Sequence, residues 1–282
     1  MIYLLLSILS STGIFVLFKS FNIKNIDTLQ AIVVNYFTAF ACGFIFYENK
    51  LSVTEILNST WFYAALLLGF LFISIFNVMA LTAQKNGLSV ASVASKMSVV
   101  IPILFGIIIY NESVGLKKVT GILLALIAVY LTSVKEKAKV NLNKLIFLPI
   151  ILFLGSGIID TSVNHFAPEN NMPFFLAIIF LIAGIIGASV LVYKSIAKKD
   201  KFNFKSIPYG IALGIVNYCS MFFLLKALRF EDNESSTIFT VNNVAIVAVS
   251  TLVGLIIFKE KIGPKNWIGI SIALVSIILV TL

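Results

Sequence analysis

Two charged side chains, Lys96 and Asp160, lie inside long apolar stretches of this sequence, several residues from the nearest end. A charge at bilayer depth costs roughly 2.5 kcal/mol or more, so ionisable residues there usually face a bundle interior or a wet cavity. We predict that the two present opposite charges to one cavity, an arrangement suited to a zwitterion. Their heights differ by roughly 11 Å, which argues against a tight ion pair. The alternative is that each side chain extends to the nearest membrane surface.

Asp160 has a second chemical role open to it. A carboxyl group inside a helix bundle can gain and lose a proton during a working cycle. His165, the single histidine, follows five residues later in the same stretch. We therefore name Asp160 and His165 as candidates for proton coupling. The alternative for His165 is an interfacial residue at the end of its helix. It has no set of partners for a metal, so we expect neither a metal nor a cofactor.

Four asparagines form a further set of polar points in otherwise apolar stretches: Asn77, Asn217, Asn242 and Asn243. We expect these amides to bind substrate in the same cavity as the two charged groups. The alternative is that they bond one another and hold the bundle together, which is worth only about 0.6 kcal/mol each on average.

The composition says what kind of element must position these groups. Of 282 residues, 60% are hydrophobic and 12% are charged, and the mean hydropathy is +1.05. A water-soluble domain of this size could not cover its surface with so few polar groups. The net charge of +9 would suggest nucleic acid in a soluble protein, but the lysines lie mainly between the apolar runs. We therefore expect an integral membrane protein and no nucleic-acid partner.

Ten runs are apolar and long enough to cross roughly 30 Å of hydrocarbon: 2–18, 29–46, 61–83, 89–110, 115–134, 145–166, 173–193, 207–228, 236–258 and 267–282. The runs are hydrophobic on nearly all sides, which favours helices over the alternating strands of a barrel. The connections are short and leave no room for an appended soluble domain. We predict an all-α bundle of ten transmembrane helices.

The chain repeats itself at an offset of 148 residues. In the first copy the shared positions are Glu112, Gly115, Lys117, Gly121, Ile122, Ala125, Leu126 and Leu131, and each has an identical residue 148 positions later, beginning with Glu260. Glu112 and Glu260 each begin the turn into the next run, where a carboxylate stabilises a helix N-terminus. The alternative for both is a role in a gate.

This repeat predicts two units, residues 1–138 and 139–282, with five runs each. An odd number of spans starts the second unit from the opposite side of the membrane, so the two units are inverted copies. Ser95 and Lys96 correspond to Asn243 and Val244 at this offset, which gives both units polar groups at mirrored depths. We expect the central cavity to lie between the units.

Ten spans in two halves, with the turns Asn111-Glu112-Ser113-Val114-Gly115 and Lys259-Glu260-Lys261-Ile262-Gly263 before a glycine-bearing last span, resemble the EamA-like carriers of the drug/metabolite transporter superfamily. The resemblance covers essentially the whole chain. It implies export or exchange of small metabolites, amino acids among them, through a central cavity and without an ATP-binding part.

From these observations we expect a secondary transporter in the cell membrane that moves a small polar or amphipathic metabolite by alternating access. Its partners would be the metabolite, the bilayer, and a proton or counter-substrate. A passive channel-like protein is the alternative. An intramembrane enzyme using Asp160 and His165 as acid and base is less favoured, because no set of nucleophile, base and oxyanion donors can be identified in the sequence.

The lysines also bear on orientation. We call the membrane side of residues 1 and 282 end A, and the opposite side end B. Loops at end B hold 15 basic residues and those at end A hold five, so the positive-inside rule places end B in the cytoplasm. The family resemblance favours cytoplasmic termini instead.

Overall fold

A computed structural model describes residues 2–45, 53–109, 115–133, 142–168, 172–198, 202–230 and 235–281. The described chain forms helices and contains no strand, which confirms the all-α membrane fold class. The helices are α1 (Ile2–Ile23), α2 (Thr28–Ile45), α3 (Val53–Leu57), α4 (Phe62–Lys85), α5 (Leu88–Met97), α6 (Val100–Ile109), α7 (Leu116–Ser133), α8 (Leu142–Phe166), α9 (Met172–Lys198), α10 (Ser206–Phe230), α11 (Ser235–Ile256) and α12 (Pro264–Thr281).

Seven segments of the described chain are long and apolar enough to cross a membrane. They are Ile2–Ile23, Thr28–Ile45, Phe62–Lys85, Leu88–Ile109, Phe147–Phe166, Phe174–Ala197 and Ser206–Leu224. Three further apolar helices are shorter: Val119–Thr132, Val241–Ile256 and Pro264–Leu279. The short helix α3 was not foreseen from the sequence. Glu112 and the boundary between residues 138 and 139 lie outside the described residues.

The fourth predicted span is broken into α5 and α6. The cause is Pro102, which has no backbone N–H and whose ring excludes the carbonyl four residues earlier, that of Ser98. The chain adapts with a tighter turn, in which the Ile101 N–H donates to the Ser98 carbonyl at 2.9 Å. The Ser98 hydroxyl donates to the Ser95 carbonyl. The helix is therefore interrupted two residues after Lys96.

Helices α7 and α12, which carry the sequence repeat, run antiparallel and pack together. Asn266 at the start of α12 donates its side-chain N–H to the Thr132 carbonyl near the end of α7 at 2.9 Å. Ser276 near the end of α12 donates to the Gly121 carbonyl near the start of α7 at 2.8 Å. Because related helices run in opposite directions, the two copies are inverted relative to one another in this part of the fold.

The apolar core has two parts. The larger one joins α1, α2, α4, α9 and α10 and also includes residues of α5, α8 and α11. The smaller one lies between α5, α7, α8, α11 and α12 and includes Met97, Phe153 and Val247. Helix α5 of the broken span therefore contributes residues to both clusters.

Candidate functional site

Asp160 lies on a different face of α8 from the exposed apolar residues of that helix. The exposed apolar residues Phe147, Leu154 and Ile158 mark the lipid face of this helix, and Asp160 is turned away from Leu154 by about 120° at 3.6 residues per turn. Gly157, one turn earlier on Asp160's own side, faces α6 so closely that a Cβ there would collide with Ile101. The Asp160 side chain is nevertheless exposed. It lies on the side of α8 on which Gly157 packs against the broken span.

The break in the fourth span places three polar residues near this carboxylate. Ser98 lies within hydrogen-bonding reach of Asp160, and Lys96 lies within its electrostatic reach. Lys96 is half-buried on the last turn of α5. Its ammonium group and the Asp160 carboxylate make no direct ion pair. Each charge is therefore left with bonding capacity that a bound molecule can use.

This arrangement suits a molecule with separated opposite charges. The Ser98 hydroxyl donates to the Ser95 carbonyl, so the Asp160 carboxylate keeps free lone pairs for an ammonium group, and a lysine ammonium has three N–H donors. Broken membrane helices border substrate sites in many transporters, because unwound backbone at that depth needs a cavity or a partner. The group Lys96, Ser98 and Asp160 is the candidate site, and we keep the name "charged site" for it.

The structure gives Asn242 a partner away from the charged site. Its side-chain oxygen accepts a hydrogen bond from the Ser7 hydroxyl of α1 at 3.1 Å, and Ser7 also lies 3.2 Å from the Ser220 carbonyl of α10. Asn242 is 2% exposed. This amide is therefore engaged in joining α11 to α1.

Asn217 and Asn77 are also engaged with protein groups. The Asn217 side chain on α10 donates to the side-chain oxygen of Asn35 on α2 at 3.2 Å. Asn77 donates to the carbonyl of Ile73 in its own helix at 2.8 Å. Asn242 and Asn217 thus have partners on other helices, in line with the alternative interpretation of bundle packing, whereas Asn77 bonds the backbone of its own helix.

Asn243 is the amide whose position agrees best with the charged site. It is buried on α11 and lies one turn before Val247 on the same side of the helix. Val247 belongs to the apolar cluster that includes Met97, the neighbour of Lys96. Asn243 therefore lies on the side of α11 that packs towards α5.

His165 and Asp160 lie on different sides of α8, about 140° apart around the helix. His165 is exposed in the last turn, in line with the lipid face. Its ring contacts the Phe105 ring of α6 edge-on, with the centroids 5.8 Å apart. The structure therefore does not bring the two proton-coupling candidates together.

Two further features were missed from the sequence. Ser98 was not named, although Pro102 four residues later was a readable signal for a helix break. Glu260 was expected at the N-terminus of the helix that follows it. It instead contacts the N-terminus of α5, where its two side-chain oxygens lie 3.0 and 3.1 Å from the Leu88 nitrogen.

Comparisons with known proteins match nearly the whole chain. The model of the EamA-like transporter family matches residues 1–134 and again residues 143–282. An uncharacterized protein of Haemophilus influenzae is 28% identical over an alignment of 284 positions, which covers 97% of this chain and 95% of that protein. A solved crystal structure that is 12% identical gives a TM-score of 0.60 and covers 97% of this chain and 96% of its own. That last likeness shows the fold alone.

Proposed function

Because the chain belongs to the EamA-like transporter family, we propose that it is a secondary active transporter of a small polar or amphipathic metabolite. The family makes it a membrane transporter. Our proposal adds ten spans, made of the seven long and the three shorter apolar helices, in two units with their boundary near residues 138 and 139. It also adds alternating access, with export or exchange as the direction and the cell membrane as the location.

The observation that carries this proposal is the antiparallel packing of the two related helices α7 and α12. Two inverted copies of one fold can exchange conformations, which closes a cavity on one side of the membrane and opens it on the other. A duplicated fold of this kind supports a carrier better than a passive channel. The charged site supports it further, because the site lies beside a helix break within a span.

The substrate class follows from the charged site. Asp160 provides a carboxylate for a cationic group, and Lys96 provides an ammonium group for an anionic one. The two do not neutralise each other by direct contact. We propose a zwitterionic metabolite such as an amino acid, with Asn243 as the amide that contributes from the second unit.

The sidedness of the molecule is part of the proposal. We place end B, which holds the larger share of lysines, in the cytoplasm. A reporter that is active only in the cytoplasm, fused after Leu282, would stay inactive in this orientation. An active reporter would place the termini inside and reverse it.

Counterflow into proteoliposomes tests the proposed function. Vesicles containing the purified protein are loaded with unlabelled amino acids, and uptake of radiolabelled amino acids is followed against protein-free vesicles. A carrier gives saturable, transient accumulation. Unsaturable flux without exchange would identify a channel, and chemical conversion of the label without flux would identify an enzyme. Either result would reject the proposal.

A further inference from the structure

The carboxylate of Glu260 joins the two repeats at end B. It is contributed by the loop between α11 and α12, in the second repeat. Both of its oxygens lie at the Leu88 N–H of α5, at 3.0 and 3.1 Å, and one of them pairs with the Lys19 ammonium of α1 at 3.0 Å. Both partners belong to the first repeat. The Glu260 side chain therefore connects the α11–α12 loop to α1 and to α5.

Two glycines make room for this carboxylate. Gly87 precedes α5 with a φ of 116°, a backbone conformation that residues with a side chain rarely adopt. A Cβ at this position would lie 2.9 Å from Glu260 Oε2. A Cβ at Gly254, in α11, would lie 2.7 Å from the same atom. The space that the Glu260 carboxylate occupies is thus bordered by glycines from both repeats.

Hydrogen bonds hold the segments on both sides of the contact. The Glu260 N–H donates to the Gly254 carbonyl at 2.9 Å, which fixes the loop. On the other side, Lys19 reaches the Gln84 carbonyl at 3.5 Å. The Gln84 amide donates to the Phe18 carbonyl and to the Thr28 hydroxyl at 3.2 and 3.0 Å. The ends of α1, α2 and α4 are therefore held together beneath Glu260.

The contact lies between end B and the charged site. A cavity of about 280 Å³ opens at this end, with Lys19, Gly87 and Glu260 in its wall. From Leu88 the helix α5 runs to the break at Ser98, about 15 Å further into the membrane at 1.5 Å per residue. A displacement of the α11–α12 loop away from α1 and α5 at end B separates Glu260 from Lys19 or from Leu88.

We propose that Glu260, Lys19 and the Leu88 N–H form a latch that holds end B closed and must break for that end to open. The inference rests on the proposed function, since alternating access gives the opening its purpose. A carboxylate that bonds a helix N-terminus and an ammonium group only in one state stabilises that state alone. Weakening the latch therefore shifts the population towards the form open at end B.

Cysteine labelling tests the latch without any substrate. The two native cysteines, Cys42 and Cys219, are replaced by alanine, and Ser92→Cys is introduced one turn inside Leu88, at a fully buried position. Sealed membrane vesicles are treated at end B with a charged, membrane-impermeant thiol reagent. We expect slow labelling in the parent and labelling about tenfold faster in Glu260→Gln.

Further variants separate a latch from a static helix cap. Lys19→Met leaves the Glu260 carboxylate on α5 and is also expected to speed labelling. The double variant of Lys19→Met and Glu260→Gln should label less than twofold faster than Glu260→Gln alone. The matched control is Lys261→Gln, on the same cavity wall, with less than a twofold effect. Unchanged labelling in both latch variants, even with lowered thermal stability, would overturn the latch.

The labelling result is independent of transport. If the latch variants label faster but the parent shows no counterflow, the latch stands and the transporter proposal fails. If counterflow is present while labelling is unaffected by both latch variants, the transporter proposal stands and the latch fails.

Discussion

The side-chain amide of Asn217 donates a hydrogen bond to the side-chain oxygen of Asn35 at 3.2 Å. Asn35 is fully buried and Asn217 is 6% exposed, so the two amides satisfy one another in the interior. Asn35 is in the first repeat and Asn217 is in the second. The pair therefore joins the two repeats through a hydrogen bond between two amide side chains.

Replacing Asn217 with leucine should destabilise the protein by about 1 kcal/mol, because the Asn35 oxygen loses its donor inside the bundle. The double variant Asn35→Leu with Asn217→Leu should recover part of this loss. Thermal unfolding in detergent measures both effects. Ser189→Ala is the control, since Ser189 is on the surface and bonds only its own helix. A single variant as stable as the parent would contradict the assignment.

Replacing Gly269 with alanine should weaken the packing of α12 against α7. The added Cβ would lie 2.9 Å from the Thr132 nitrogen and 3.0 Å from the Leu131 Cβ, and backbone cannot move aside as a flexible side chain can. Overpacking of this kind typically costs 1–3 kcal/mol. Gly115→Ala is the control, because a Cβ there meets nothing within 4 Å. Equal unfolding temperatures for the two variants would refute the antiparallel contact.

Replacing Pro102 with alanine should reduce flux several-fold while leaving the fold stable. Alanine restores the missing backbone N–H and removes the ring that excludes the Ser98 carbonyl, so α5 and α6 can join and Ser98 can turn away from Asp160. The measurement is initial uptake rate beside the unfolding temperature. A variant with parental flux would show that the break has no part in transport.

The sequence predicted the membrane class and the repeat well, because both depend on features that are local or periodic. Hydrophobic length marks the helices, and the identities at a 148-residue offset, such as Glu112 with Glu260, mark the copies. The helix ends were predicted less accurately. Helix α1 continues to Ile23, whereas the apolar run predicts an end near residue 18. Lysine and polar residues beyond the apolar run continue the helix at the membrane surface.

The site was harder to predict, because the sequence does not distinguish an asparagine that binds substrate from one that bonds a neighbouring helix. Asn242 meets Ser7 from a helix more than two hundred residues away in the chain, and nothing near Asn242 indicates this partner. Lys96 and Asp160 carry a clearer signal, since the cost of a charge at bilayer depth restricts where such a side chain can lie.

A pH gradient should distinguish Asp160 from His165. If the carboxyl group of Asp160 carries the coupled proton, an imposed gradient should stimulate uptake in the parent, and Asp160→Asn should abolish that stimulation. His165→Ala should retain it, because His165 lies on the lipid side of α8, about 140° from Asp160. The measurement is the ratio of initial uptake rates with and without the gradient. Loss of stimulation in His165→Ala alone would reverse the assignment.

The most direct test of a transport site at the helix break is counterflow of radiolabelled amino acids in vesicles carrying Asp160→Asn or Lys96→Met. Glu55→Gln, at an exposed acid on α3, is the control. We predict that each of the two site variants loses at least about tenfold in exchange rate, equivalent to roughly 1.4 kcal/mol, while its unfolding temperature and that of the control stay near the parental value. Parental exchange rates in both site variants would contradict the account.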